Sequence, residues 1–273
     1  MYWTLSLSAR RVDTNKSQLF CSSYNTHVQF LIVADLHANW HALEAVLAHS
    51  GGMFDQIICC GDLVGYNPQP ARVLEWTRVS CTSVIRGNHD KVVAGIESLE
   101  WFNEIAQAAA RWTIRQLSDE QLKYLRSLPA GPLTLEHFHI CHGSPRNEDE
   151  YVTTIREATP SFANIDLPLA FFGHTHLQGG FFHRHGRVGR IPAVRKSETE
   201  ATIDLDPDTV YFVNPGSVGQ PRDGDPRAAY AIYDAERRLV ILRRAEYAIQ
   251  KTAEEIIEAG LPDVLALRLF QGF

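Results

Sequence analysis

Apolar runs and helical segments alternate between residues 28 and 90, and this order limits the chain to a small number of folds. FLIVAD is followed by WHALEAVLAH, in which Trp40, Leu43 and Leu47 recur at intervals of three and four, typical of one helix face. DQIICCGD is the second apolar run, a helix opens at Pro70, and TSVIRGNHD is the third run. This order predicts right-handed crossovers and parallel strands whose carboxyl ends share one edge of a sheet.

The remainder of the chain adds helices and then mostly short strands. Ser118 and Gln121 form a candidate capping box that starts a helix, and a final helix is predicted to stop at Gly260. Trp40, Trp101 and Trp112 lie in helical segments, so we expect them in the core. The pattern predicts two packed sheets with helices outside, in one domain of residues 28–273. Residues 1–27 are polar and weakly patterned, and are predicted to be an N-terminal extension.

Composition narrows the class of protein. Among 273 residues, 45% are hydrophobic and 21% charged, as is ordinary for a soluble enzyme or binding protein. The net charge of -6 gives no overall attraction to nucleic acid or an anionic membrane, so neither is expected as a bulk partner. No apolar stretch is long enough to span a bilayer, and the N-terminus does not resemble a secretory signal, which predicts a cytoplasmic protein. The oligomeric state is not indicated.

Cysteine usage does not indicate a thiolate metal site. The five cysteines include no CxxC pair, and an odd number is unsuited to a disulfide framework. Cys59, Cys60 and Cys141 lie in apolar runs and are expected to be small buried hydrophobes.

Polar side chains stand at or just after the end of most of the apolar runs. In an open α/β sheet, ligands bind beyond the carboxyl ends of the strands. Polar side chains buried there must be paired or must coordinate something, since isolated burial costs about a few kcal/mol each. The side chains are Asp35 and His37 in ADLHAN, Asp62 in CGDLVG, Asn88 and His89 in RGNHD, His142 in CHGSP, and His174 and His176 in GHTH.

A metal site would satisfy all of these groups together. Imidazole and carboxylate donors suit zinc, iron, manganese or nickel, whereas magnesium and calcium prefer oxygen ligands. The donors exceed the needs of one centre, and two ions about 3.5–4 Å apart form a clamp used for in-line attack at phosphorus. Each motif alone also has a plain structural interpretation, such as a turn capped by Asn88 or Asp90. Their ordered combination favours the metal site.

The ordered set DLH, GD, GNHD, CHG and GHTH resembles the calcineurin-like metallophosphoesterases. The stretch VNPGSVGQPRDGDPRAAYAIYD is similar to the tail block of that superfamily's small bacterial and archaeal phosphodiesterase branch. The resemblance covers roughly residues 28–260 and implies an α/β fold (α+β in some schemes), a four-layer αββα sandwich of two mixed sheets flanked by helices.

The resemblance also implies residue roles. His89 would face the phosphoryl group, stabilising charge or protonating the leaving oxygen, and Asp90 would orient that ring or another ligand from behind. A hydroxide shared by the metals would attack phosphorus in line. The first metal would be held by Asp35, His37 and His176, the second by Asn88, His142 and His174, and both by Asp62.

The chain departs from the family's protein Ser/Thr phosphatases after the bridging aspartate. Those enzymes have Asp-Arg-Gly there, whereas this chain has Gly65, Tyr66 and Asn67, which disfavours a protein phosphatase. Arg146 and Arg222 are candidate replacements for gripping phosphate, or alternatively solvated loop residues. The leading hypothesis is a phosphodiesterase with a phosphorylated small-molecule or nucleotide-like substrate. A nucleotide or dinucleoside-polyphosphate hydrolase is the alternative, and a non-catalytic scaffold is disfavoured because every ligand position is filled.

Overall fold

The computed structural model describes residues 28–273, so the predicted extension at residues 1–27 lies outside the described residues. Short 3₁₀ helices cover Leu99–Trp101 and Thr159–Asn164. In chain order the other elements are β1 (Gln29–Val33), α1 (Trp40–Ser50), β2 (Gln56–Cys59), α2 (Pro70–Ser80), β3 (Ser83–Val84), α3 (Asn88–Val93), α4 (Glu104–Gln116), α5 (Asp119–Ser127), β4 (Leu133–Thr134), β5 (His139–Ile140), α6 (Ile155–Ala158), β6 (Leu169–Phe171), β7 (Gly179–Arg184), β8 (Arg187–Ile191), β9 (Glu200–Asp204), β10 (Thr209–Asn214), β11 (Ala228–Asp234), β12 (Leu239–Ala245), α7 (Ile249–Glu258) and α8 (Asp263–Gln271).

The strands form two six-stranded mixed sheets. The first has the order β3-β2-β1-β11-β12-β9, and the second has the order β4-β5-β6-β10-β7-β8. Strands β1, β2 and β3 pair in parallel, as do β5, β6 and β10, while the flanking strands are antiparallel. The parallel arrangement predicted for the first three strands is therefore confirmed.

Successive side chains of β1 point to opposite faces of the first sheet, which shows how the layers pack. Phe30 and Ile32 point into a core shared with Phe171 of the second sheet, whereas Leu31 and Val33 point toward the helices of the first sheet. The outer face of the second sheet is covered mainly by α6 and the 3₁₀ helix that follows it, through residues that pack with β6 and β10. Helix, sheet, sheet and helix thus stack in four layers, which confirms the predicted αββα sandwich.

Local signals explain several element ends. The capping box of α5 is confirmed, since Ser118 and Gln121 bond reciprocally across the first turn. The expectation that α7 is the final helix is wrong: the chain turns at Gly260 and begins α8 directly after Pro262. A proline just ahead of a helix cannot continue the previous one, but it does not prevent a new start.

The cysteines and tryptophans can be compared with their predicted positions. Cys59, Cys60 and Cys141 are buried and unbridged, as predicted. Trp40 and Trp112 pack partly buried against the core, but Trp101 is 79% exposed, so its predicted core position is wrong. Within residues 28–273, none of the helices combines the length and apolar composition that crossing a bilayer requires.

Candidate metal centre

The predicted ligands lie at strand ends of both sheets, where the two sheets meet. Asp35 and His37 follow β1, and Asp62 follows β2. Asn88 is the first residue of α3, the helix that follows β3. His142 follows β5, and His174 and His176 follow β6 in the second sheet. The carboxyl ends of the parallel strands therefore deliver these donors to one edge, as the sequence predicts.

One cluster joins Asp35, His37, Asp62 and His176, whose candidate ligand atoms all lie within 4.8 Å of one another. The Nδ1 atom of His37 donates to the carbonyl oxygen of Val64 at 3.0 Å, and that of His176 donates to Gln220 at 2.6 Å. In a neutral imidazole the other nitrogen is then an acceptor. The two Nε2 atoms nevertheless lie only 3.1 Å apart, so two lone pairs converge on one point.

The second cluster joins Asp62, His142 and His174. His142 donates from Nδ1 to the carbonyl oxygen of Cys60 at 2.8 Å, which directs Nε2 toward Asp62 Oδ2 at 3.4 Å and Asn88 Oδ1 at 3.3 Å. His174 is held through Nε2 by the carbonyl oxygen of Asp149 at 3.2 Å. Its Nδ1 atom is buried and has no hydrogen-bond partner.

Burial keeps most of these imidazoles neutral. It lowers the pKa of His37 to about 4 and the pKa of His174 to about 3, leaving lone pairs for coordination. Burial also acts to lower the pKa of His142, but the adjacent Asp62 carboxylate outweighs it and raises that pKa to about 10. Desolvation raises the pKa of Asp35 to about 7. The effect on His142 shows that the negative charge of Asp62 favours a positive charge beside it.

The donors fit divalent metal ions. Asp35 Oδ2 and His174 Nδ1 are buried without partners, and such orphaned atoms are costly unless something coordinates them. Imidazole, carboxylate and amide donors together suit first-row transition metals. The described residues therefore contain two clusters that can hold two metal ions, and Asp62 belongs to both.

Backbone strain is concentrated at the same residues. Left-handed φ values are uncommon outside glycine, although Asp and His tolerate them better than most residues, and they cost about 1–2 kcal/mol each. Strain of this kind is characteristic of functional sites. The strained ligand residues are Asp35 (φ 52°), His37 (φ 44°), Asp62 (φ 55°), His174 (φ 65°) and His176 (φ 59°).

His89 lies beside the clusters. Its backbone N–H donates to Asp62 Oδ1 at 2.9 Å, and its ring packs between Tyr66 and Phe102, with centroids 4.4 and 4.5 Å away. The left-handed Gly65 explains the sequence of the neighbouring loop, since a Cβ there would lie 2.5 Å from the His89 Nδ1 atom. Burial holds the pKa of His89 well below its usual value.

Asp90 contacts backbone amides. Its carboxylate accepts hydrogen bonds from the N–H groups of Leu63 at 3.0 Å and Gly87 at 2.9 Å. These bonds join the segment that carries Asp62 to the segment that carries Asn88. The structure therefore places Asp90 behind those two side chains and not on the ring of His89.

The two predicted arginines lie in different surroundings. Arg222 donates to the Tyr66 hydroxyl at 3.3 Å, and its backbone N–H donates to the carbonyl oxygen of His176, so it borders the first cluster. Arg146 forms an ion pair with Glu150, four residues along the same loop. The structure thus brings Arg222, but not Arg146, into contact with the candidate site.

Asn214 braces the GHTH segment from β10. Its amide nitrogen donates to the carbonyl oxygen of Gly173 at 2.9 Å and to the Thr175 hydroxyl at 3.0 Å. Its Oδ1 atom accepts from the N–H of Gly216, which closes the turn after the strand. This turn residue therefore also fixes the backbone between the two histidines.

The sequence did not reveal the aromatic surroundings of the site. A cavity of about 380 Å³ opens beside Asn88, His89 and His174. Its aromatic lining comes from separate segments that have no common motif, so no local signal identifies it. The aromatic residues are Tyr66, Trp101, Phe102 and Tyr151.

Comparisons with known proteins agree on one family. Residues 28–238 match the calcineurin-like phosphoesterase superfamily domain. An uncharacterized protein of Methanocaldococcus jannaschii is 36% identical over 254 residues, which cover 88% of this chain and 97% of that protein.

Two solved structures are similar across nearly the whole chain. A metallophosphoesterase from Sphaerobacter thermophilus is 39% identical with a TM-score of 0.79, covering 91% of this chain and 100% of that one. A hypothetical protein from Pyrococcus horikoshii OT3 has the same fold, at 20% identity and a TM-score of 0.71, covering 90% and 99%. The resemblance expected from the motifs is confirmed, and the chain belongs to the calcineurin-like phosphoesterase superfamily.

Proposed function

We propose that the protein is a phosphodiesterase that uses two divalent metal ions sharing Asp62. The observation that carries the proposal is the position of the Asp62 Oδ2 atom, 3.5 Å from His37 Nε2 of one cluster and 3.4 Å from His142 Nε2 of the other. A carboxylate that lies between imidazole donors of two clusters is suited to bridge two cations. The preference for diesters rests on the resemblance to the phosphodiesterase branch.

In this proposal each ion has its own ligands in addition to Asp62. When bound, two ions supply a nucleophile from water at neutral pH and stabilise charge on the phosphoryl oxygens. Manganese, iron, zinc and nickel all match the donor types. Asp35, His37 and His176 would hold the first ion, and Asn88, His142 and His174 would hold the second.

His89 and Arg222 contact the substrate in this proposal. His89 borders both Asp62 and the cavity, so its ring can donate a hydrogen bond to a phosphoryl or leaving oxygen. Tyr66 and Phe102 hold that ring in place. Arg222, beside Tyr66, offers a guanidinium to the phosphate oxygens.

Hydrolysis of a bis-aryl and a mono-aryl phosphate with added Mn²⁺ tests the proposal. The parent protein should cleave the diester faster, and Asp62→Asn and His89→Ala should each lower kcat by about 100-fold or more. His49→Ala is the matched control, because that imidazole lies at the end of α1 and bonds to the Tyr230 hydroxyl. If no divalent metal supports hydrolysis and the protein binds no metal, the proposed metal-dependent reaction is wrong.

Nucleotide esters are the second candidate class of substrate. The aromatic residues that line the cavity favour them, because aromatic side chains stack on nucleobases. A protein phosphatase is less favoured, since Tyr66 stands where those enzymes have an arginine segment and here packs on the ring of His89. Rates on nucleotide diesters and on a phosphopeptide, measured side by side with the aryl esters, separate these classes.

A further inference from the structure

Two aromatic side chains at the cavity beside His89 remain largely exposed. Trp101 is 79% exposed and Tyr151 is 53% exposed, and both line the cavity. Single exposed aromatic residues are common on protein surfaces, but these two come from separate segments and border one cavity. The cavity volume of about 380 Å³ falls within the range typical of small-molecule sites.

The aromatic residues divide into two pairs. Tyr66 and Phe102 pack directly on the His89 ring, so the inner pair fixes the candidate catalytic side chain. Tyr151 covers His174 at a centroid distance of 4.0 Å, while Trp101 extends the lining outward. A flat ring that enters the cavity from solvent would therefore meet Trp101 while its ester oxygen lies near His89.

The charges of the cavity wall favour a neutral group. Glu97 and Asp149 line the cavity, and both pair with the Lys91 ammonium at 2.9 and 2.5 Å. Glu148 also lies 3.3 Å from that ammonium. Because carboxylates surround the lysine, this wall offers little attraction to a chain of additional phosphates. An uncharged ring fits it better than a polyphosphate does.

We propose that this cavity binds a planar aromatic ring, a nucleobase or an aryl group, carried by the leaving part of the substrate and stacked on Trp101. The inference rests on the proposed function in one respect: the leaving oxygen is placed on the His89 side of the metal centre. Stacking itself requires only the cavity and can be measured without turnover.

Calorimetric titration of the Mn²⁺-loaded protein tests the subsite with three probes. Adenosine 5′-monophosphate and phenyl phosphate carry a ring, whereas ribose 5-phosphate carries none. The two aromatic ligands should bind about tenfold more tightly than ribose 5-phosphate. Trp101→Ala should reduce that preference to about twofold, and Trp101→Phe should retain most of it. Phe270→Ala, another exposed aromatic on α8, is the matched control and should change nothing.

The outcomes separate the subsite from the reaction. Equal affinity for all three probes, or an unchanged preference in Trp101→Ala, overturns the subsite even if the protein hydrolyses diesters. A preference that depends on Trp101 supports the subsite even if no ester is hydrolysed, in which case only the reaction fails. Tighter binding of adenosine 5′-monophosphate than of phenyl phosphate assigns the ring as a nucleobase, and the reverse order assigns an aryl group.

Discussion

The Nε2 atoms of His37 and His176 lie 3.1 Å apart, although each ring already donates from Nδ1 to a backbone carbonyl. His37 follows β1 of the first sheet and His176 follows β6 of the second. Two acceptor lone pairs this close are unfavourable unless a cation lies between them. A metal ion at this point would therefore connect the two sheets.

Metal binding should accordingly stabilise the fold. Ligand at about 100 times its Kd contributes about 2.7 kcal/mol per site, which for a chain of this size corresponds to a rise in Tm of about 5–10 °C. Thermal unfolding followed by calorimetry, with EDTA and then with added Mn²⁺, measures the shift. An unchanged Tm with manganese, iron, zinc and nickel would contradict the metal assignment.

Replacing His174 should weaken the binding of one metal ion, and replacing His176 should weaken the binding of the other. His176 belongs to the cluster with Asp35 and His37, and His174 belongs to the cluster with His142. Each alanine variant should bind about one ion fewer than the parent, and both should stop hydrolysis. Elemental analysis after dialysis counts the ions, with His49→Ala as control because that ring bonds to Tyr230. The assignment fails if either variant retains both ions.

Gly87→Ala should damage the site without changing any ligand. A Cβ at Gly87 would overlap the carboxylate oxygen of Asp62, so that side chain would have to move. We expect a loss of metal affinity of about 10- to 100-fold, the range seen when support for ligands is removed. The control is Gly95→Ala, where the Cβ would meet open space although φ is +72°. Metal titration compares the two variants, and equal affinities would refute the steric argument.

Lys91→Met should destabilise the loop that supports His174. Lys91 is 4% exposed and holds Asp149, whose carbonyl oxygen accepts from His174. The variant leaves the Glu97 and Asp149 carboxylates without the lysine ammonium, and we expect the free energy of unfolding to fall by about 1–3 kcal/mol. The loss is smaller than for a fully buried pair because both carboxylates retain contact with water. Urea unfolding measures the free energy, and Lys91→Arg should recover part of it. An unchanged free energy of unfolding would show that the network is not stabilising.

The sequence predicted the site more completely than its surroundings. Asp35, Asp62 and His174 directly follow or lie near the ends of apolar runs, and parallel pairing brings such ends together, so local patterns suffice. The parallel strands were predicted correctly for the same reason, whereas the family and the four-layer fold were predicted correctly from the order of the five motifs. The metal roles of these residues remain proposals.

The parts that could not be predicted depend on contacts between distant segments. Asp90 lies one residue from His89 in sequence, yet its carboxylate reaches the amides of Leu63 and Gly87, because α3 turns it away from that ring. Trp101 follows a helical pattern but lies on a short 3₁₀ helix at the cavity mouth. Helical periodicity gives a residue's position around an axis and does not reveal whether anything covers that face.

Electron paramagnetic resonance of the Mn²⁺-loaded protein shows whether Asp62 bridges two ions, because bridged manganese ions are magnetically coupled. We expect the spectrum of an exchange-coupled pair in the parent protein, and only the signal of isolated ions in Asp62→Asn, with hydrolysis lost in the variant. A spectrum of isolated ions in the parent at full loading, or an unchanged coupled spectrum with full activity in Asp62→Asn, would show that Asp62 does not bridge two ions.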